Sequence, residues 1–240
     1  MLKITLLILS IFDKIYQRKI IKKFLEIFDD NLDIVFDVGA HEGEFIKLIL
    51  NNFNVKTIYS FEPSEKNFQI LNKNIKKIRS DKNEIFLNNF ALGEKEEEKK
   101  FKQMKESSSS TLSDINTKSN YFKRKNFFLN IIPNTKFFEE ISIKIKDGAS
   151  FLAKEKIEHI DLLKIDTEGH EYFVIKGFKE NLNKVKIIFF EHHYDQMLLK
   201  NYTFSDIHNY LINNNFKKYA KFKMPFRKTF EYIYVNKKYN

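Results

Sequence analysis

The chain has no cysteine, no tryptophan, three prolines and only six glycines in 240 residues. Without a thiol there is no disulfide framework, no cysteine-ligated zinc, no iron–sulfur cluster and no thiolate nucleophile. That excludes cluster-dependent radical chemistry and any attack on a nucleobase through a protein thiolate. Glycine falls well below its typical share of roughly 7%, so each one is informative. Gly39, Gly43, Gly93, Gly148, Gly169 and Gly177 all lie in the middle of the chain.

What is present is enough for a real core. Hydrophobic residues make up 42% of the chain and 26 residues are Phe. The net charge of +10 is compatible with a polyanionic partner. It also follows from a composition dense in Lys, Asn, Ile and Phe, and by itself names no partner.

Residues 2–12 are nearly all apolar, a run about half the length that spans a bilayer. Lys14, Arg18, Lys19, Lys22 and Lys23 follow, interleaved with Ile15, Ile20, Ile21, Phe24 and Leu25. This pattern predicts a basic amphipathic helix over residues 1–28, ahead of a domain over 29–240. Such a helix either packs across the domain edge or makes peripheral contact with a membrane. The expected location is cytoplasmic, with that contact as an addition. Residues 93–117 form a compositional break, with an all-charged run at 94–100 and polyserine at 107–110. Residues 104–136 read as a long surface excursion.

The remainder alternates between short apolar runs and helical patterns. Strand-like runs occur at 34–38, 57–61, 84–87, 141–145, 161–165 and 185–190, and the tail suits a hairpin. Ser64 can cap one helix, and Thr203 with Asp206 forms a capping-box pattern for another. Alternation of this kind predicts a mostly parallel sheet covered by helices on both faces. Ligands in such sheets bind at the carboxyl ends of the strands.

The first strand end reads DVGAHEG, residues 37–43, and Glu62 ends the second strand. Gly39 and Gly43 allow a tight turn and close approach, and an acidic side chain at 62 can accept from two ribose hydroxyls. A dinucleotide would want G-x-G-x-x-G and a helix start free of negative charge. Here Asp37, Glu42 and Glu44 cluster instead. That charge pattern suits S-adenosyl-L-methionine, which carries an ammonium and a sulfonium and no phosphate.

Five segments in order then resemble the FkbM family of class I S-adenosylmethionine-dependent methyltransferases. They are VFDVGAHEG (35–43), YSFEP (59–63), NFALG (89–93), IDLLKIDTEGHE (160–171) and the apolar strand 187–193 with its terminal Glu and His residues. The resemblance implies an α/β Rossmann-like fold, with a seven-stranded sheet ending in an antiparallel hairpin. It implies methyl transfer, commonly to a hydroxyl of a sugar, glycan or natural product. Carried onto this chain, the cofactor residues are Asp37, Gly39, Ala40, His41, Gly43, Glu62, Pro63, Asn89 and Asp166.

A hydroxyl acceptor needs its proton removed during attack. The candidates near the fourth and fifth strand ends are Asp166, Glu168, His170, Glu171, His192 and His193. Glu168 leads as base, His192 is second, and Asp166 is expected to orient donor or acceptor. Several of these groups, with Glu191, could ligate a divalent ion, but no spacing is diagnostic and no metal is assigned. The chain lacks the Pro-Pro-aromatic segment of amino-methylating DNA enzymes. Ribose or tRNA methylation is the rival enzymatic reading, since basic charge gives only sequence-independent affinity. A cofactor-free interaction module is the non-enzymatic one, which the intact loop residues oppose.

Overall fold

The computed structural model describes residues 2–239 except 79–81, 105–109, 120–121, 124–137, 196 and 226; for residues 2–14 it describes the helix but not the side chains. Most of the 104–136 excursion, and Ser107 to Ser109 of the polyserine, thus lie outside the described residues.

Seven strands form one sheet. β1 (Asn31–Val38) is central, with β2 (Asn54–Phe61) and β3 (Glu84–Asn88) on one side. On the other side lie β8 (Ile160–Ile165), β9 (Val185–His193), β12 (Thr229–Asn236) and β11 (Phe216–Lys223). The pairs β1–β2, β2–β3, β1–β8 and β8–β9 are parallel, whereas β12 runs antiparallel to both β9 and β11. This is the expected sheet with its terminal hairpin.

The inner strands β1, β2, β8, β9 and β12 are largely buried on both faces, which is why their sequences are rich in apolar runs. On one face Phe36, Phe61, Leu163, Phe190 and Tyr232 meet α4 (Gly148–Glu155), α5 (Glu171–Gly177) and α6 (Phe204–Asn213). On the other, Val35, Leu162, Ile187, Phe189 and Ile233 meet α1 (Leu2–Phe28), α2 (Glu44–Leu50) and α3 (Glu65–Ile78). The caps fall where expected. Ser64 Oγ accepts from Asn67 N at 3.3 Å, and Thr203 and Asp206 close a full capping box.

Helix α1 contributes to the core from its second half. Ile20, Ile21, Phe24 and Phe28 are buried, and Phe24 meets Phe189 edge-on at 5.3 Å. Tyr16 donates to Glu231 at 2.6 Å. Within residues 1–28, the part from Tyr16 to Phe28 is therefore packed on the sheet. No helix among the described residues is long and apolar enough to cross a membrane.

The compositional break holds structure that its charge conceals. β4 (Ala91–Gly93), β5 (Glu97–Met104) and β7 (Phe138–Asp147) form a small second sheet in the order β4-β7-β5. The strand expected at 141–145 belongs here and not to the main sheet. β5 is charged because most of its side chains face solvent, while Phe101 and Met104 are buried. Among the described residues of the excursion, 110–119 contain β6 (Asp114–Ile115), which pairs with β10 (Leu198–Leu199).

Phe24→Ala should lower stability by about 3–5 kcal/mol, read as a shifted denaturation midpoint. A loss near zero would show that α1 is dispensable to the core.

Candidate functional site at the strand carboxyl ends

The tips of β1, β2 and β8 converge with α5 and β5 around one cleft. It is lined by Gly39, His41, Glu62, Pro63, Asp166, Glu168 and His170, with apolar walls from Phe61, Ala91, Leu92, Phe101 and Leu112. Of the expected site residues, Asp37, Ala40, Gly43, Asn89 and His192 do not line it.

Asp37 departs furthest from expectation. Alternation along β1 puts it on the same face as Val35, pointing into the interior between sheet and α2. It is fully buried, and its carboxylate meets Lys164 Nζ at 2.9 Å. Burial pushes its carboxyl above the usual range against the pull of Lys164. Lys164, from β8, also donates to the Gly39 carbonyl at 2.9 Å and lies 3.8 Å from Asp166. It sits 5.5 Å from the Phe45 ring centroid. Burial opposes its charge, but Asp37 and Asp166 hold it firmly protonated. The sequence reading passed over Lys164; its signal was a lone lysine inside the apolar strand 160–165.

Gly39 has φ +77°, and a Cβ there would lie 1.8 Å from the Asp166 carbonyl oxygen. Glycine is thus required for the first loop to lie against the β8 tip. Gly43, at φ +94°, packs against Leu71 of α3. Ala40 is buried, and Asn89 donates to the Glu62 carbonyl at 3.0 Å, bracing the β2 tip.

Glu62 does reach the cleft. Its two carboxylate oxygens accept the backbone N–H groups of His41 and Ser64, each at 2.9 Å. Burial raises it to about 7, although those two N–H groups pull the other way. His41 lies 3.2 Å from Glu44, and that contact raises its imidazole.

The turn after β8 is held from several sides. Glu168 takes a left-handed backbone at φ 50°, followed by Gly169 at φ 97°. Glu171 is fully buried and accepts from Gly169 N at 2.8 Å, Thr167 Oγ1 at 3.1 Å and Tyr202 at 2.7 Å. It therefore organises the turn. Thr111, itself fully buried, donates to the Glu168 carbonyl, and Ser113 donates to that of Gly169 at 3.0 Å. Residues expected to form an open excursion instead clamp this turn. The sequence offered no signal for that beyond hydroxyls in a polar stretch.

His193 stands among three carboxylates. Its Nε2 lies 3.1 Å from both Glu168 and Glu191, and its Nδ1 lies 3.5 Å from Asp195. Burial disfavours the imidazolium, yet those carboxylates hold it well above the usual range. His192 points to the other sheet face, among Tyr194, Tyr202 and Phe204. Burial lowers it to about 3. His170 lines the cleft and is lowered to about 3 by burial. Asp166 is raised to about 6, chiefly by burial and next by Glu191. The one tight Asp/His constellation among the described residues with metal-ligand geometry is Asp33, His159 and Asp161, at the opposite end of the sheet.

A methyltransferase FkbM domain matches residues 37–218, most of the chain. The chain belongs to the FkbM methyltransferase family. An FkbM methyltransferase from Methylobacillus flagellatus KT is similar in structure, with a TM-score of 0.54 at 14% identity. That match covers 85% of this chain but 44% of the other, so this chain spans less than half the length of that relative. A Geobacter metallireducens GS-15 precorrin-6y C5,15-methyltransferase gives a TM-score of 0.48 at 12% identity, covering 92% and 87% of the two chains. TrmK from M. capricolum, solved with S-adenosyl-homocysteine, gives 0.49 at 13% identity, covering 90% and 67%. No curated protein matches the sequence.

Residues 37–218 are therefore an FkbM methyltransferase domain, and the cofactor expected for it from the sequence is S-adenosylmethionine. The cleft fits that molecule. A buried carboxylate, Glu62, faces it beside apolar walls suited to a flat base, and no Lys or Arg is among the described residues lining it. A diphosphate would find no countercharge there.

Lys164→Met should leave the Asp37 carboxylate buried without its partner. The expected cost is about 3–5 kcal/mol, read by urea unfolding, and Asp37→Leu/Lys164→Met should recover most of it. Equal stability of Lys164→Met and the parent would show that the pair does not hold the loop.

Proposed function

We propose that this FkbM methyltransferase transfers a methyl group to a neutral hydroxyl of a sugar or glycan. The observation that supports this is the character of the cleft: its ionisable lining is carboxylate and imidazole, with no Lys or Arg among the described residues. Phosphate-rich acceptors such as RNA are repelled by such a surface. A hydroxyl acceptor, by contrast, needs a carboxylate to receive its proton.

When bound, S-adenosylmethionine supplies an electrophilic methyl on a sulfonium. Glu62 would hold the ribose hydroxyls, and Gly39 and His41, which line the same cleft, would border the cofactor along the first loop. Asp166 acts as base. Its carboxylate lines the cleft and is raised above the usual carboxylate range, toward where a base works best. Asp166 would receive the acceptor hydroxyl's proton during transfer. Glu168, the leading base from sequence, is drawn toward His193 at 3.1 Å and borders the acceptor instead. The enzyme's main contribution is alignment of donor and acceptor.

Labelled methyl from S-adenosylmethionine should appear on neutral saccharides and not on tRNA; transfer to tRNA alone would overturn the reading. Asp166→Asn should lower kcat by about 10²–10⁴-fold with little change in cofactor Kd, whereas unchanged turnover would remove Asp166 as base. Glu62, raised to about 7, is protonated in the free protein below that pH, and protonation removes its charge as a ribose acceptor. Cofactor Kd by calorimetry should therefore rise as pH falls below 7, by up to about tenfold per unit. Glu62→Gln should flatten that profile.

A further inference from the structure

Helix α1 approaches the sheet from its catalytic end. Phe28 packs near the start of β9, with Lys186 over its ring at 4.8 Å. Further back along the helix, Phe24 meets Phe189. Tyr16 meets Phe222 at 6.4 Å and donates to Glu231. Glu231 pairs with Glu191, two residues before the end of β9 at His193. The helix thus climbs the sheet toward the mouth of the cleft as it is followed back to Tyr16. It continues to Leu2, and at about 1.5 Å per residue those fourteen positions extend roughly 20 Å. The strand end is only about 7 Å beyond Glu231, so the helix overruns the catalytic edge.

The overrunning part is the near-continuous apolar run of residues 2–12, whose only charge is Lys3. Below it, Arg18, Lys19 and Lys22 are exposed on the same helix. The turn joining β11 to β12 lies at this same end, where Tyr194 N donates to the Lys228 carbonyl at 2.8 Å. Lys223, Arg227 and Lys228 are exposed there.

We propose that this edge docks on an anionic lipid bilayer, with residues 2–12 of α1 entering its interfacial layer and these cations meeting the headgroups. The chemistry is that of an interfacial helix: an apolar segment beside lysines and arginines, each worth a modest attraction to an anionic surface. Docking in this orientation turns the cleft toward the membrane, so the acceptor hydroxyl is carried by a lipid-linked molecule. That last step rests on the hydroxyl-acceptor reading above; the docking itself does not.

The test is co-sedimentation of the full chain with vesicles, without any acceptor. Vesicles with about one-third phosphatidylglycerol should pellet the protein at least about tenfold better than phosphatidylcholine alone, and added salt should reverse this. Leu6→Glu/Leu9→Glu should stay in the supernatant while keeping its thermal shift with S-adenosylmethionine, which shows it is folded. Parent protein that ignores both vesicle types overturns the proposal. So does a variant that pellets like the parent, or a parent that self-associates through this segment, seen by sedimentation velocity, and does not bind vesicles. Failure of the hydroxyl-acceptor reading would show separately, as methylation of RNA with vesicle binding intact.

Discussion

Lys164 occupies the point where three strand ends would otherwise bring together only carboxylates and carbonyl oxygens. Its ammonium meets Asp37 and the Gly39 carbonyl, each at 2.9 Å, and Asp166 lies 3.8 Å away. One buried cation therefore ties the first loop to the β8 tip. The approach is close enough that position 39 must be glycine. The cleft exists because these two tips are held side by side with Glu62 at the next.

Around that anchor the site divides by sheet face. Residues at 37, 164 and 191 face the α1–α3 side, where Glu191 continues to Glu231 and Tyr16. Burial raises Glu231 to about 8, and Glu191 adds to the effect. His193 gathers Glu168, Glu191 and Asp195. This is a strongly acidic neighbourhood inside a protein whose net charge is +10. The positive charge lies elsewhere, on α1 and the β11–β12 hairpin. Separation of this kind leaves the cleft without a countercharge for an anion while the outer surface stays cationic.

The backbone of the turn after β8 shows how such an arrangement is maintained. Glu168 in a left-handed conformation costs on the order of 1 kcal/mol or more. Glu171, Thr111 and Ser113 satisfy the turn's polar groups from beneath and above. The second sheet and the described part of the excursion thus act as a cover that shapes the cleft wall through Phe101 and Leu112.

Much of this was legible in the residues alone. Apolar runs marked the inner strands of the main sheet, Thr203 with Asp206 marked a helix start, and Glu62 marked a strand end that lines the cleft. These are local signals, set by backbone periodicity and short-range hydrogen bonding. Charge hid β5, because an edge strand exposes most of its side chains and reads like a loop. Sequence could place Asp37, Asp166, Glu168, His192 and His193 near one end of the sheet. Only the tertiary structure decided that Asp37 turns inward to Lys164, that His192 and His193 part to opposite faces, and that Thr111 crosses from a distant segment to Glu168. The physical reason is that a side chain's ionic partners come from neighbouring strands, and strand order and register are properties of the whole sheet.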